Sequence, residues 1–146
     1  IKYDLGKLNS ENYIQTHSTN PLIRASTFDD AIQQYWVMIN KYDSMFSVTR
    51  LQTRLFNQNG NPINHEVSEL IRTQDLDPIF EENSNFYIFS RTSFNNSSYN
   101  RIGLKPNMFE VNKLESQDID DEEDFILAET LYKTGSAYYE SQEKTT

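Results

Sequence analysis

The sequence predicts an α/β domain, and three observations carry that prediction. Residues 27–41 repeat apolar side chains at helical spacing, with a β-type run on either side, at 12–16 and 44–49. Two further buried β-type runs follow, at 86–89 and 108–111. The chain then passes through an acidic stretch into a second helix with apolar residues on one side. Strand, helix, strand in that order implies a crossover connection and a parallel sheet.

Length and composition bound the rest. A chain of 146 residues is one domain, or a large piece of one, and can bury a real core. An apolar content of 36% with 13% aromatics excludes a disordered chain. The net charge of -9 argues against general binding to nucleic acid or anionic membranes. No apolar run is long enough to span a bilayer. Without cysteine there are no disulfides and no thiolate zinc, which is compatible with an intracellular, cytoplasmic protein. The chain starts on Ile1 rather than methionine, so an upstream part is expected.

Taken in order, 1–11 is mixed and polar. Asn12-Tyr13-Ile14-Gln15-Thr16 alternates as a short strand and runs into the polar loop His17-Ser18-Thr19-Asn20-Pro21. A loop at a strand's carboxyl end is where open α/β sheets bind ligands. The helix at 27–41 is expected to be capped by Ser26 or Thr27, with Asp29 and Asp30 suiting its N-terminal dipole. Its stripe of Phe28, Ala31, Ile32, Tyr35, Trp36 and Ile39 is expected to pack on the sheet as core. After the strand at 44–49, Asn59-Gly60 marks a hairpin turn between Leu55-Phe56 and Pro62-Ile63. That hairpin is expected to form a small lobe, spanning 51–80, that projects from a single domain covering 1–146. Residues 65–85 read as irregular, broken by Pro78; 91–94 read as a short helical turn. The last helix should bury Phe125, Ala128, Leu131 and Tyr132, with a polar tail after Thr134.

The stretch Glu115-Ser116-Gln117-Asp118-Ile119-Asp120-Asp121-Glu122-Glu123-Asp124 has two compatible readings. Eight of the 22 acidic residues lie between Glu115 and Glu129, with no basic residue among them, which usually means a solvated face. As a helix start, Asp120 would be the N-cap and Glu123 would complete a capping box. As a metal site, Asp118 and Asp120 on an extended segment would face one hard cation together, with Ile119 turned inward. Mg²⁺ held by one or two carboxylates takes its other ligands from water and substrate phosphates. Elsewhere the chemistry is sparse. His17 and His65 lack partners at ligand spacing and read as ordinary loop residues. Arg50, Arg54 and Arg72 could each bind a carboxylate or phosphate. The four glycines form no phosphate-binding loop.

Several motifs, in order, resemble one family. Gln15-Thr16-His17-Ser18-Thr19-Asn20-Pro21-Leu22, the strand Asp43-Ser44-Met45-Phe46-Ser47-Val48-Thr49, Arg72-Thr73-Gln74-Asp75-Leu76-Asp77-Pro78, Glu82-Asn83-Ser84-Asn85-Phe86-Tyr87-Ile88, and Arg101-Ile102-Gly103 followed by Glu115-Ser116-Gln117-Asp118-Ile119-Asp120 are similar to segments of acylneuraminate cytidylyltransferases, the CMP-sialic acid synthetases. The resemblance spans about residues 12–132. It implies a nucleotide-diphospho-sugar transferase, Rossmann-like sheet, here lacking its amino-terminal part, with a small hairpin dimerisation lobe. It further implies Mg²⁺-dependent joining of CTP to an acidic nine-carbon (nonulosonic) sugar such as N-acetylneuraminate, giving CMP-sugar and pyrophosphate. On the same ground Asp118 and Asp120 match the metal carboxylates; Gln15, Arg72, Gln74, Asn83 and Tyr87 match substrate-side positions; and a homodimer is implied.

A missing segment and two positions depart from the family. Its opening phosphate loop is absent from this chain, so the chain alone is expected to bind CTP weakly or not at all. Thr73 stands where many members carry the arginine that meets the sugar carboxylate, with Arg72 the substitute the sequence offers. Ser84 stands where a glycine is usual. A non-catalytic dimerisation or regulatory module that retains the fold is the alternative.

Overall fold

The computed structural model describes residues 1–143, and side chains through residue 135. Four helices and a four-stranded mixed sheet make up the described residues. The helices are α1 (Lys2–Leu5), α2 (Ala25–Met38), α3 (Arg91–Asn96) and α4 (Glu122–Glu143); the strands are β1 (Asn12–Thr16), β2 (Ser44–Leu51), β3 (Ile79–Ser90) and β4 (Pro106–Glu110). None of the described helices is long and apolar enough to cross a membrane.

The sheet order is β1-β3-β2-β4. The expected all-parallel sheet is therefore corrected. β1, β2 and β4 run in one direction, as the β1–α2–β2 crossover requires, but β3 returns antiparallel and inserts between β1 and β2. β3 is also longer than the sequence suggests. Glu81-Glu82-Asn83-Ser84-Asn85 has little intrinsic strand preference, yet Ile79–Glu82 pairs with 48–51 of β2.

As an interior strand, β3 is buried on both faces over Phe86–Phe89. Phe86 and Ile88 pack with Ala31, Tyr35, Met45 and Val111 beneath α2. Tyr87 and Phe89 point the other way, towards Leu5, Phe94 and Tyr13. The stripe on α2 is narrower than expected. Thr27, Ala31 and Tyr35 are buried, but Ile32, Trp36 and Ile39 remain exposed, Trp36 by 52%. Ile32 and Trp36 each sit one residue, or about 100° around the helix, beyond a buried position.

Both helix starts differ from expectation for identifiable reasons. α2 begins at Ala25 with Arg24 as N-cap and no side-chain cap of its own. The distant Glu115 carboxylate accepts from the Arg24 N–H (3.2 Å) and from the Thr27 hydroxyl, so a tertiary contact serves where Ser26 or Thr27 was expected. Asp29 and Asp30 consequently fall outside the first turn. At α4 the capping box lies one residue later than expected. Asp121 Oδ1 accepts from Asp124 N–H (3.0 Å), and Asp124 Oδ2 accepts from the Asp121 (3.3 Å) and Asp120 (3.1 Å) N–H groups. Along α4, Ala128 is buried and Leu131 is half-buried, while Phe125 and Tyr132 are exposed, contrary to expectation; the helix also continues past Thr134 to Glu143.

Residues 52–78 connect β2 to β3. The Asn59-Gly60 turn forms as read: Gly60 adopts φ +78°, and Asn57 Oδ1 accepts from the N–H groups of Asn59 and Asn61. Its flanking pairing is a single bridge, Phe56 to Pro62.

Candidate functional site

β1, β2 and β4 all end at the same edge of the sheet, where loop 17–21, the start of β3 and loop 111–121 converge. What shapes this edge is a bulge. Two steps along β2, from Phe46 to Val48, are matched by five along β3, from Tyr87 to Glu82. The chain between folds outward through Ser84, at φ +57°. This is the left-handed region that favours glycine, and it gives a physical reason why a glycine suits that position. Polar side chains replace the interrupted ladder. Ser47 Oγ accepts from Phe86 N–H (3.0 Å), Asn83 Nδ2 donates to Thr49 Oγ1 (3.0 Å), and Asn85 Nδ2 donates to the Glu115 carbonyl (2.9 Å).

Glu115 anchors the acidic loop to this framework. It is 1% exposed and accepts from Arg24 Nε (2.8 Å) as well as from Arg24 N–H and Thr27. A carboxylate so deeply buried needs such partners, because an unpaired one is strongly destabilising. Four residues on, Ile119 N–H donates to the Thr19 carbonyl (3.0 Å), tying the acidic loop to the loop that follows β1.

That tie places Asp118 and Asp120 on one wall of a cavity of about 400 Å³, with Asn83, Ser84, Thr49 and Lys113 also lining it. Ile119 is half-buried and does not line it. Glu81, Glu82 and Asp124 add to the negative charge, against the single cation of Lys113. Such a field concentrates cations. Asp118 Oδ1 accepts from Ile119 N–H (3.0 Å); Asp118 Oδ2 and the Asp120 carboxylate accept no hydrogen bond among the described residues. No group of three or more metal-ligating side chains is assembled among the described residues. Asp118 and Asp120 on the cavity lining could supply two carboxylate ligands of a Mg²⁺ shell, with water and phosphate oxygens completing it.

A second cluster adjoins the cavity. Gln15 of β1 and Tyr87 of β3 are cross-strand partners. The Tyr87 hydroxyl donates to Glu82 and lies 3.1 Å from Ser84 Oγ, so it reaches the cavity wall. Burial first, and then the Glu82 carboxylate, push the Tyr87 phenol above its usual value, with Ser84 and Arg101 opposing. Tyr87 therefore stays protonated and remains a donor. The Arg101 guanidinium stacks 3.7 Å from the Tyr87 ring centroid, and His17 bridges Arg101 and Gln15. Gln15 Oε1 and both polar atoms of the Asn20 side chain are buried without a partner among the described residues. An unsatisfied buried polar group costs about 1–3 kcal/mol, so these atoms are open hydrogen-bonding capacity at the site.

Of the residues singled out from the sequence, Asp118, Asp120 and Asn83 thus share the cavity, and Gln15 and Tyr87 share the adjoining cluster. Arg72 and Gln74 join neither: they lie exposed at the 3-10 turn Thr73–Asp75, where Arg72 Nε pairs with Asp75 (2.7 Å). Sequence reasoning gave Glu115, His17 and Arg101 no site role, although each lies in a segment that resembles the family. Their roles depend on distant partners, and no local spacing signals them. Compared with protein-family models and with curated proteins, the chain matches none of them.

Proposed function

We propose that the chain is the sugar- and metal-binding part of a Mg²⁺-dependent cytidylyltransferase with a nucleotide-diphospho-sugar transferase, Rossmann-like fold. In this reading the anomeric hydroxyl oxygen of an acidic nine-carbon sugar bonds to the α-phosphorus of CTP. The bond to the β-phosphate breaks, and CMP-sugar and pyrophosphate result. The observation that carries the reading is the Ile119–Thr19 hydrogen bond. It joins two of the motifs that resemble the family, far apart in sequence, at the carboxyl ends of three co-directional strands, where ligands bind in α/β sheets.

Asp118 and Asp120 would hold the cation. When bound, it supplies charge neutralisation on the phosphates and orients them for in-line displacement. Asn83 and Ser84 shape the cavity wall. Gln15 Oε1, buried and unpaired, is placed to accept from a sugar hydroxyl. We further assign a homodimer built through residues 52–78, because Phe56, Ile63, Val67 and Leu70 are exposed there, Leu70 by 96%. A nearly isolated hairpin is marginal in water and gains from a partner surface.

The test is Asp118→Asn in the intact protein. Asp118 lies before the α4 cap and bonds only the adjacent backbone N–H, so melting should hardly move. CMP-sugar formation should fall at least about 100-fold if the cation loses a ligand. Normal turnover in the variant would remove Asp118 from the site and with it this reading.

A further inference from the structure

We propose that Arg101 is the residue that selects a carboxylate-bearing sugar, binding the carboxylate from its place on the Tyr87 ring with His17 beside it. This rests on the reading of the substrate as an acidic sugar, and it gives a role to a residue that the sequence reading left without one. In a chain of net charge -9, no ion pair among the described residues engages Arg101. Its guanidinium lies 3.7 Å from the Tyr87 centroid, and its Nη1 lies 3.4 Å from His17 Nε2. A guanidinium can only donate, so His17 Nε2 is the bare acceptor and carries its proton on Nδ1. Gln15, 3.3 Å from the same nitrogen, must then present its amide N–H₂ to it, which leaves Gln15 Oε1 as the unpaired buried acceptor. The three side chains together offer one cation with donors to spare and one free acceptor. That is the complement of a carboxylate next to a hydroxyl or amide N–H.

The backbone around Arg101 is pinned. Asn100 Oδ1 accepts from Ile102 N–H (2.9 Å), the Ile102 carbonyl accepts from the Ser44 hydroxyl, and Asp43 accepts from Leu104 N–H (2.9 Å) and Lys105 N–H (3.0 Å). Gly103, at φ +76°, makes the turn, and a Cβ there would fall 2.4 Å from Asp43 Oδ1. The cation is thus presented by a rigid loop, with less ordering required on binding. Its location selects carboxylate over phosphate. Tyr87 separates Arg101 from the acidic cavity, because its ring carries Arg101 while its hydroxyl meets Glu82 and Ser84 on the cavity wall. Phosphates neutralised by a cation belong to the acidic side, and the sugar carboxylate belongs to the arginine side.

The experiment titrates N-acetylneuraminate, its methyl ester and inorganic phosphate separately into the full chain by calorimetry, in the wild type, Arg101→Met and Arg101→Lys. Methionine keeps apolar cover on Tyr87 without the charge. The wild type should bind the acid about 10- to 100-fold more tightly than the ester, the difference expected of a charge-assisted pair. Arg101→Met should bind the two equally, and Arg101→Lys should recover part of the preference. Equal affinity for acid and ester in the wild type, an unchanged preference in Arg101→Met, phosphate binding tighter than the acid, or no acid binding at millimolar concentration would each overturn the proposal. Cytidylyl transfer from CTP is assayed separately on the intact protein: acid binding through Arg101 with no transfer there would refute the reaction and leave this assignment standing.

Discussion

β3 is two strands in one. Over Phe86–Ser90 it pairs with β1 on one side, and β2 continues on the other from Phe89 to Tyr87. There Phe86, Tyr87, Ile88 and Phe89 are all buried, on alternating faces. Over Ile79–Asn85 it has outrun β1, which ends at Thr16 opposite Phe86. In that half the bulge interrupts the ladder with β2, and Ser47, Asn83 and Asn85 satisfy the backbone and its neighbours by side-chain bonds. One half is held by apolar burial in regular register. The other is held by polar bonds and leaves Glu81, Glu82, Asn83 and Ser84 facing the cavity. A strand that extends past its neighbour gives up pairing on one edge, and the space so opened is where the site forms.

Removing a side chain from the apolar half should have the largest effect. Phe86 is 0% exposed and contacts the rings of Phe28 and Phe109 at 5.6 Å. Phe86→Ala should cost about 3–5 kcal/mol, read by urea denaturation. A cost below about 1 kcal/mol would mean that this half is not where stability is concentrated. Glu115→Gln tests the polar half. Glutamine keeps the shape but loses the charge that Arg24 and Thr27 address, and should cost about 1.5–3 kcal/mol, towards the low end because Arg24 is 44% exposed. Equal melting of wild type and variant would show that the Glu115 carboxylate does not hold the acidic loop, leaving that to the Ile119–Thr19 and Asn85–Glu115 carbonyl bonds.

The same contrast explains what could be read from the sequence. β1 appears as expected at Asn12–Thr16, because alternation and a following Pro21 are local signals. The buried run of β3 was legible for the same reason, and the Asn59-Gly60 turn because glycine fits its positive φ. The polar half of β3 was not legible, since its strand character comes from pairing and not from composition. The start of α2 was missed because its cap comes from Glu115, and the α4 cap was misplaced by one because a run of acids from Asp120 to Asp124 offers two capping registers. The spacing of Asp118 and Asp120 did point to a shared wall. Arg101 and His17 could not be found that way, since only the fold brings them to Tyr87 and Gln15.

The smallest expected effect is the most diagnostic of the bulge itself. At an ordinary strand position, alanine is more stable than glycine by about 0.5–1 kcal/mol, because glycine loses more freedom on folding. Ser84 sits at φ +57°, where a Cβ crowds the following carbonyl and costs roughly 1–2 kcal/mol. Both Ser84→Ala and Ser84→Gly lose the contact with the Tyr87 hydroxyl, which keeps Glu82 as its acceptor, so that loss cancels between them. What remains is the balance of backbone strain against chain entropy, and strain should win. Ser84→Gly should therefore melt above Ser84→Ala, by about 0.5–1 kcal/mol, the reverse of the usual order. If alanine proves equal or better, the left-handed turn does not form. The polar half of β3 would then pair in regular register with β2, and the cavity wall carrying Asn83 and Ser84 would have to be redrawn.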